Sequence, residues 1–336
     1  MSACIPRLVE RSGDLAALEP SWQRLWQACG EATPFASPAW LIPWWTVFEP
    51  GALAVHAVTR GPDLVALAPL YRERTTGGVR LLPLGVSLSD YADVLVRDDC
   101  PEALAVLADS FAARREPVLW TDLPPSALAG RVPIPEGWRE ETGQGQTCPV
   151  LALAGAASSP DDAPSCVPAA RRRKVRMALH RASRRGDLSI TTERDVSPGA
   201  FLDALHRLHG ERWRSRGESG VLADDAVMRF HALALPRLLA AGLADYRLLA
   251  IGGELAGAYL GLRDERRAYA YIGGMDPAFA RESPGAILLN AAISDAVARG
   301  AEEFHFLRGG EAYKYGWGAV DRHNRWRRLD PGASDG

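Results

Sequence analysis

Apolar positions change period several times along the chain, and the changes mark out secondary structure. In "RRRKVRMALHRASRRG", residues 171–186, Val175, Ala178, Leu179 and Ala182 fall on one helical face, and Gly186 can end the helix. "DLSITTE" then reads as a strand. In "SPGAFLDALHRLHGERWRSRG", Ser197 is placed to cap a helix that opens at Pro198, with Phe201, Leu205 and Leu208 on one face. "YRLLAIGGELAGAYLGL" alternates around a Gly-Gly turn and predicts two paired strands. "RRAYAYIGGMD" predicts another strand. "SPGAILLNAAISDAVARG" predicts a helix with Leu289, Ile293 and Val297 in register and Gly300 as its stop; "EEFHFL" predicts a last strand. The order is that of a mixed α/β (α+β) sheet with one late βαβ crossover.

The first half echoes the second. "VTRGPDLVALAPLY" (58–71) has the form of "LAIGGELAGAYLGL". "PEALAVLADSFAARREPVLWTDLP" (101–124) has the form of the last helix and strand: a proline-opened helix, an apolar strand, then a charge. The pattern reads as a duplicated unit. Between the halves, "GAASSPDDAPSCVPAA" is small, Pro-rich and aperiodic, as linkers are. The expected organisation is a first unit over 1–154, a linker over 155–170 and a second unit over 171–330.

The bulk numbers fit two soluble domains: 336 residues, 47% hydrophobic, 24% charged, net charge −2. That balance gives no global preference for DNA or another polyanion. Five cysteines, an odd number without a CxxC pair, argue against a disulfide framework or structural zinc and for a reducing cytoplasm. The opening residues lack a secretory pattern. No apolar run reaches the roughly 18 residues of a spanning helix, though contact with a membrane surface stays compatible. The seven histidines show no metal-ligand spacing, and no metal is expected. Walker A, first-strand dinucleotide and GxSxG signatures are missing.

Several motifs carry a resemblance. "ERWRSRG", "YIGGMDPAFARESPGAILL" and "FHFLRGGEAYKYGWG", with "WQRLW", "SPAWLIPWWTVF" and "LVALAPLYRE" nearer the start, resemble the GNAT superfamily of acetyltransferases, in particular its CelD/BcsL-type group associated with cellulose biosynthesis. Doubled GNAT-like units in one chain, and "YKYGWG", are also similar to the Fem-type peptidoglycan aminoacyltransferases. The resemblance implies a tandem GNAT-like acyltransferase fold. It implies acetyl-CoA or another acyl-CoA as donor substrate, no permanently bound cofactor, and a small-molecule or saccharide acceptor from polysaccharide or cell-envelope metabolism. An aminoacyl-tRNA donor and a non-catalytic accessory role are the alternatives. The basic helix at 171–185 keeps tRNA open.

The donor would be held at "RESPGA", where Arg281, Ser283, Gly285 and Ala286 open a helix whose N-terminal amides attract a pyrophosphate. Pro284 stands where the family's middle glycine would be and removes one amide. Ile272, Gly273 and Gly274 would let a strand bulge and expose backbone groups to the pantetheine arm. The first unit has "VRDDCPEAL" at the corresponding place, whose acids would repel a pyrophosphate. It is expected to be degenerate and to shape the acceptor groove. At the end of the last strand, Arg308, Glu311 and Lys314 would emerge into the cleft: Arg308 to clamp an anionic group, Glu311 as general base, Lys314 to neutralise an oxyanion or phosphate. Tyr313 or Tyr315 would protonate the leaving thiolate, and Trp317 would stack on the acceptor. Asp90, Tyr91, Asp93, Trp213 and Arg216 are further acceptor candidates. His305, within a strand, is open to a role as base or as part of the core.

Overall fold

The computed structural model describes residues 3–157, 163–214 and 217–332. The chain divides into two compact units, Met1–Gln146 with Arg322–Gly336, and Thr147–Asp321. No helix among the described residues is long and apolar enough to cross a membrane.

The first unit runs β1 (Cys4–Val9), α1 (Ser12–Ala17), α2 (Glu19–Gln27), α3 (Pro38–Phe48), β2 (Ala52–Leu53), β3 (Val55–Arg60), β4 (Asp63–Ala68), β5 (Leu70–Thr75), β6 (Gly78–Pro83), β7 (Leu95–Val96), α4 (Ala103–Ala112) and β8 (Val118–Leu123). β9 (Trp138–Ala152) begins in this unit and passes into the second at Thr147. α3 is apolar all round, with Trp40, Trp44 and Trp45 buried, as expected of a helix enclosed by its unit. β1, β3, β4 and β7 form one sheet. At Pro69, which has no amide to give a ladder, the chain passes from β4 to β5 in a second sheet, beside β6 and β8. α4 closes one face, packing Leu107 and Phe111 near Val118 and Trp120.

The second unit runs α5 (Ala169–Arg185), β10 (Leu188–Thr192), α6 (Pro198–Arg214), α7 (Asp225–Ala240), β11 (Ala244–Ile251), β12 (Glu254–Arg263), β13 (Arg267–Met275), α8 (Pro284–Ala298), β14 (Glu303–His305) and α9 (Ala312–Tyr315). The closing strand β15 (Val320–Pro331) returns to the first unit at Arg322. Its sheet order is β10-β11-β12-β13-β14-β9. α5 and α8 cover one face, where Ile287, Ile293, Phe304 and Trp317 share a core with Val175 and Ala182. Burying Val175, Ile287, Ile293 or Phe304 contributes about 1.5–3 kcal/mol each before entropy is charged. α6 covers the other face, with Phe201 stacked on Tyr246 at 4.1 Å.

The two units share a plan. β1, β3, β4 continued as β5, β6 and β8 follow the succession of β10, β11, β12, β13 and β14. In each, one helix joins a parallel pair: α4 between β6 and β8, α8 between β13 and β14. In each, an antiparallel strand from elsewhere in the chain completes the sheet, β15 beside β8 and β9 beside β14. This is the tandem GNAT-like arrangement expected from the motifs. Two local expectations read differently in the structure. The stretch expected as a linker lies within the second unit, and Ala163 and Val167 are buried in its core; residues 158–162 lie outside those described. α7 has no counterpart in the sequence reading, although Asp224 caps it by accepting from the Ala226 amide at 2.8 Å.

Candidate active site

The site in the second unit begins with unequal pairing along β13. On one side β13 follows β12 to its end, with a bulge at Tyr271: Leu260 opposes Ile272 while Gly261 opposes Ala270. On the other, β13 pairs with β14 only over Arg267–Glu303, Ala268–Phe304 and Tyr269–His305. The chain after β14 turns to β9, where the Phe306 amide donates to Pro149 O. Among the described residues, 270–275 of β13 therefore run on with no strand beside that edge. Such an edge can take up an extended chain carrying amides.

The two glycines of this segment do different things. A Cβ on Gly274 would lie 2.5 Å from the His209 amide nitrogen and 2.7 Å from the Leu208 carbonyl carbon, so this glycine admits α6. Its expected role was to let a donor approach. At Gly273 a Cβ would meet only Ala258 O, at 3.3 Å. Ile272 is half-buried beside it.

β13 leads into the start of α8. Ser283, the residue before the helix, sits at φ 55° in the left-handed region, and its carbonyl accepts from the Ala286 amide at 2.9 Å and the Ile287 amide at 3.3 Å. Pro284 has no amide. That leaves the Gly285 amide pointing out of the first turn without an acceptor among the described residues. Arg281 is exposed. Glu282 is buried, and its charge is met by Arg185 of α5 at 3.2 Å. The same guanidinium donates to Ala278 O at 2.9 Å and lies 3.8 Å from the Phe279 ring centroid. One arginine thus fixes the loop and cancels the acid nearest the helix N-terminus.

The loop after β14 explains the charge that follows an apolar strand. Leu307 takes φ 59°, and the carbonyls of Leu307, Arg308 and Gly309 converge on the Lys314 ammonium at 3.0, 2.7 and 2.9 Å. Glu311 adds an ion pair at 2.9 Å. Lys314 is 2% exposed, so its donors are spent on the loop; the oxyanion role expected of it is replaced by a structural one. Glu311 is instead exposed, its carboxylate folded over Gly309, where a Cβ would come within 2.6 Å of it. Tyr313 and Tyr315 are both about two-fifths exposed, at 43% and 39%. Burial and the nearby Glu311 raise the Tyr313 pKa. A hydrogen bond to Asp321 raises that of Tyr315, so both phenols stay protonated at neutral pH. Trp317 does not face solvent: it is buried, with the Arg171 guanidinium 5.0 Å from its ring. Arg308 is half-buried.

α6 and α7 each carry a buried histidine that the sequence marked only as unsuited to a metal. His209 of α6 accepts from Trp213 Nε1 at 2.8 Å, and His231 of α7 sits edge-on to the bulged Tyr271 at 5.6 Å. Burial, with help from Arg212, lowers the His209 pKa to about 4. Burial, with His209, does the same to His231, so both rings are neutral. The i, i+4 spacing of His209 and Trp213 was the available signal. Trp213 is partly exposed, whereas Arg216 lies outside the described residues. His305 is buried, with Nε2 3.0 Å from Glu303.

Of the acceptor candidates of the first unit, Asp90 and Tyr91 are buried and Asp93 is half-buried. Tyr91 packs edge-on against Phe35 at 6.0 Å. Asp90 is buried, and its carbonyl accepts from Asn324. Asp93 accepts the amides of Val94, Leu128 and Ala129 at 2.8, 2.9 and 2.7 Å. These residues were expected to face a groove; they hold the unit together.

Residues 169–315 match the family model of the GNAT acetyltransferase domain, and the match lies wholly in the second unit. FemX has a similar fold, with a TM-score of 0.64 at 12% identity over 96% of each chain. A conserved protein of unknown function from Bacteroides thetaiotaomicron scores 0.61 at 10% identity, covering 97% of this chain and 100% of its own. The C-terminal domain of a putative lysylphosphatidylglycerol synthetase from Agrobacterium fabrum scores 0.51 at 11% identity, covering 81% and 82%. None of the curated proteins matches in sequence. The family match thus falls on residues 169–315 of the second unit, and over nearly its whole length the chain shares a fold with FemX.

Proposed function

We propose that the second unit transfers an acyl group from a coenzyme A thioester to an amine or hydroxyl. The observation that carries this is the open edge of β13 leading to the N-terminus of α8. The pantetheine amides pair along 270–275, past Ile272 and Gly273. The pyrophosphate meets the Gly285 amide, the start of the helix at Ser283 and Ala286, and the Arg281 guanidinium. Glu311 takes the proton of the attacking group as the new bond to the acyl carbon forms. The C–S bond breaks, and Tyr313 or Tyr315 gives its proton to the sulfur. Lys314 holds the loop that presents Glu311, and Arg308 binds an anionic part of either substrate. Trp213 lies on the acceptor side. Resemblance to the CelD/BcsL-type group supports a saccharide or cell-envelope acceptor, acetyl-CoA as donor and a cytoplasmic setting.

Calorimetric titration with acetyl-CoA, a long-chain acyl-CoA and free CoA tests this. Micromolar binding is expected, weakened roughly tenfold or more by Arg281→Glu. No binding to any thioester would overturn the reading. One observation favours a second reading, an aminoacyl-tRNA donor: Arg173, Lys174, Arg176, Arg181 and Arg184 line an exposed face of α5. Salt-sensitive binding of charged tRNA, with none of acyl-CoA, would select it.

A further inference from the structure

The first unit holds a cleft of about 450 Å³ whose walls come from β8, β9 and β15. Trp326 is the one aromatic side chain in its lining. Between Arg325–Leu123 and Arg327–Trp120, β15 advances two residues and β8 three, so β8 is bulged opposite this tryptophan. The bulge holds Asp122 at φ 54°. A non-glycine residue in that region costs roughly 1–2 kcal/mol, and such strain persists where a site's geometry requires it. The bulge sets Thr121 and Asp122 together at the cleft wall. From the other side, a Cβ on Gly143 would come 2.4 Å from Trp326 Nε1, so only glycine lets the indole lie against β9. The next residue, Arg327, is buried and paired to Glu140 at 2.6 Å, which leaves Trp326 directed to the cleft. Leu119, Glu141, Gly145, Gln146 and Arg328 complete the lining.

An aromatic face bordered by two carboxylates, an amide and a guanidinium suits a sugar. The indole covers the C–H face of a pyranose ring, and the planar polar groups accept from and donate to its hydroxyls. The charge narrows the class. Among the lining residues there are two carboxylates, Asp122 and Glu141, and one cation, Arg328, already paired to Asp330 at 2.7 Å. The lining therefore disfavours phosphate or carboxylate on the ligand. We propose that this cleft binds a neutral or amine-bearing saccharide. The proposal goes beyond the thioester chemistry of the second unit and does not depend on it.

Saturation-transfer NMR on the full chain with cellobiose, glucosamine and glucose 6-phosphate tests it. Transfer to the ring protons of the first two is expected, and none to the phosphate ester. Trp326→Ala should weaken binding roughly tenfold or more, Trp326→Phe only a few-fold. Glu141→Gln should weaken glucosamine more than cellobiose. The proposal fails if wild type shows no transfer to either sugar, or if glucose 6-phosphate binds as well. It also fails if a folded Trp326→Ala keeps the signals. Should Trp326→Ala not fold, unchanged glucosamine binding by Glu141→Gln overturns it. Acetyl-CoA titration of the same variants should match wild type, which separates this proposal's failure from failure of the thioester reading.

Discussion

The two units share a strand plan and differ where a donor would bind. In the second, β13 outruns its neighbour β14, and the first turn of α8 keeps an amide at Gly285. In the first, the residues that follow β6 are interior: Leu84, Leu88, Ser89, Asp90 and Tyr91 are all buried. The amides entering α4 are consumed locally, Cys100 N on Arg97 O, Ala103 N on Cys100 O and Leu104 N on Pro101 O. The acids there are held by arginines, Asp99 by Arg97 at 2.5 Å and Glu102 by Arg60 at 3.4 Å. Under the proposed function, one fold carries a donor site in the second unit and lacks it in the first, and the residues around one helix N-terminus make the difference.

The comparison breaks most readily at Lys314. Lys314→Met leaves three converging carbonyls without a donor and Glu311 without a counter-ion. The expected cost is about 3–5 kcal/mol, read by chemical denaturation, with local exchange of amides in the loop after β14. A lysine needed only for chemistry would lose turnover and leave stability unchanged, and that result would reject the structural role.

Next come the paired glycines of β13. Gly274→Ala pushes a methyl into the backbone of α6 and should cost about 1–3 kcal/mol. Gly273→Ala meets a single carbonyl oxygen and should cost less, while disturbing acyl-CoA affinity more. Equal losses of stability in the two variants would remove the distinction between a packing glycine and a ligand-facing one.

These cases show what the sequence carries. Periodic elements were legible because their signals are local: α5, α6, α8 and the Gly252-Gly253 hairpin lie where the apolar spacing and turn residues put them. Of the motifs singled out for a site, "YIGGMDPAFARESPGA" runs from the open edge of β13 into the start of α8, and "FLRGGEAYKYG" forms the loop after β14. The roles of their residues were not legible. The acceptors around Lys314 are backbone carbonyls, which have no signature in side-chain identity. Asp93 and Tyr91 sit in a polar-looking loop whose burial is decided by packing against distant residues. Cys4 and Cys100, 96 residues apart, place their sulfurs 3.7 Å from one another beside Glu102, a proximity that cysteine spacing does not encode.

Asp93 sharpens the comparison through pH. Burial raises its pKa from 3.8 to about 7, opposed by the amides of Ala129, Leu128 and Val94. The folded form therefore holds a proton that the unfolded chain has already released. Its stabilising share is complete below about pH 4 and is lost as pH rises through about 7. Between pH 6 and pH 8 wild type should lose about 1.4 kcal/mol that Asp93→Asn does not, measured as the difference in denaturation midpoints. A variant with the same slope as wild type would assign the pH dependence elsewhere.

The smallest expected effect is at Arg185. Its removal leaves Glu282 uncompensated beside the first turn of α8, yet the pair is partly exposed, 37% and 11%, so Arg185→Ala should cost under about 1 kcal/mol of stability. Its consequence is electrostatic. A carboxylate newly unpaired near the proposed pyrophosphate site should weaken acyl-CoA binding a few-fold at low salt and less as ionic strength rises. Arg60 is the control, because it pairs with Glu102 beside α4 at 3.4 Å. Arg60→Ala should leave acyl-CoA affinity unchanged, since the first unit's helix N-terminus has already spent its amides. If both variants weaken binding equally, the donor does not distinguish the two units, and the asymmetry drawn between them fails.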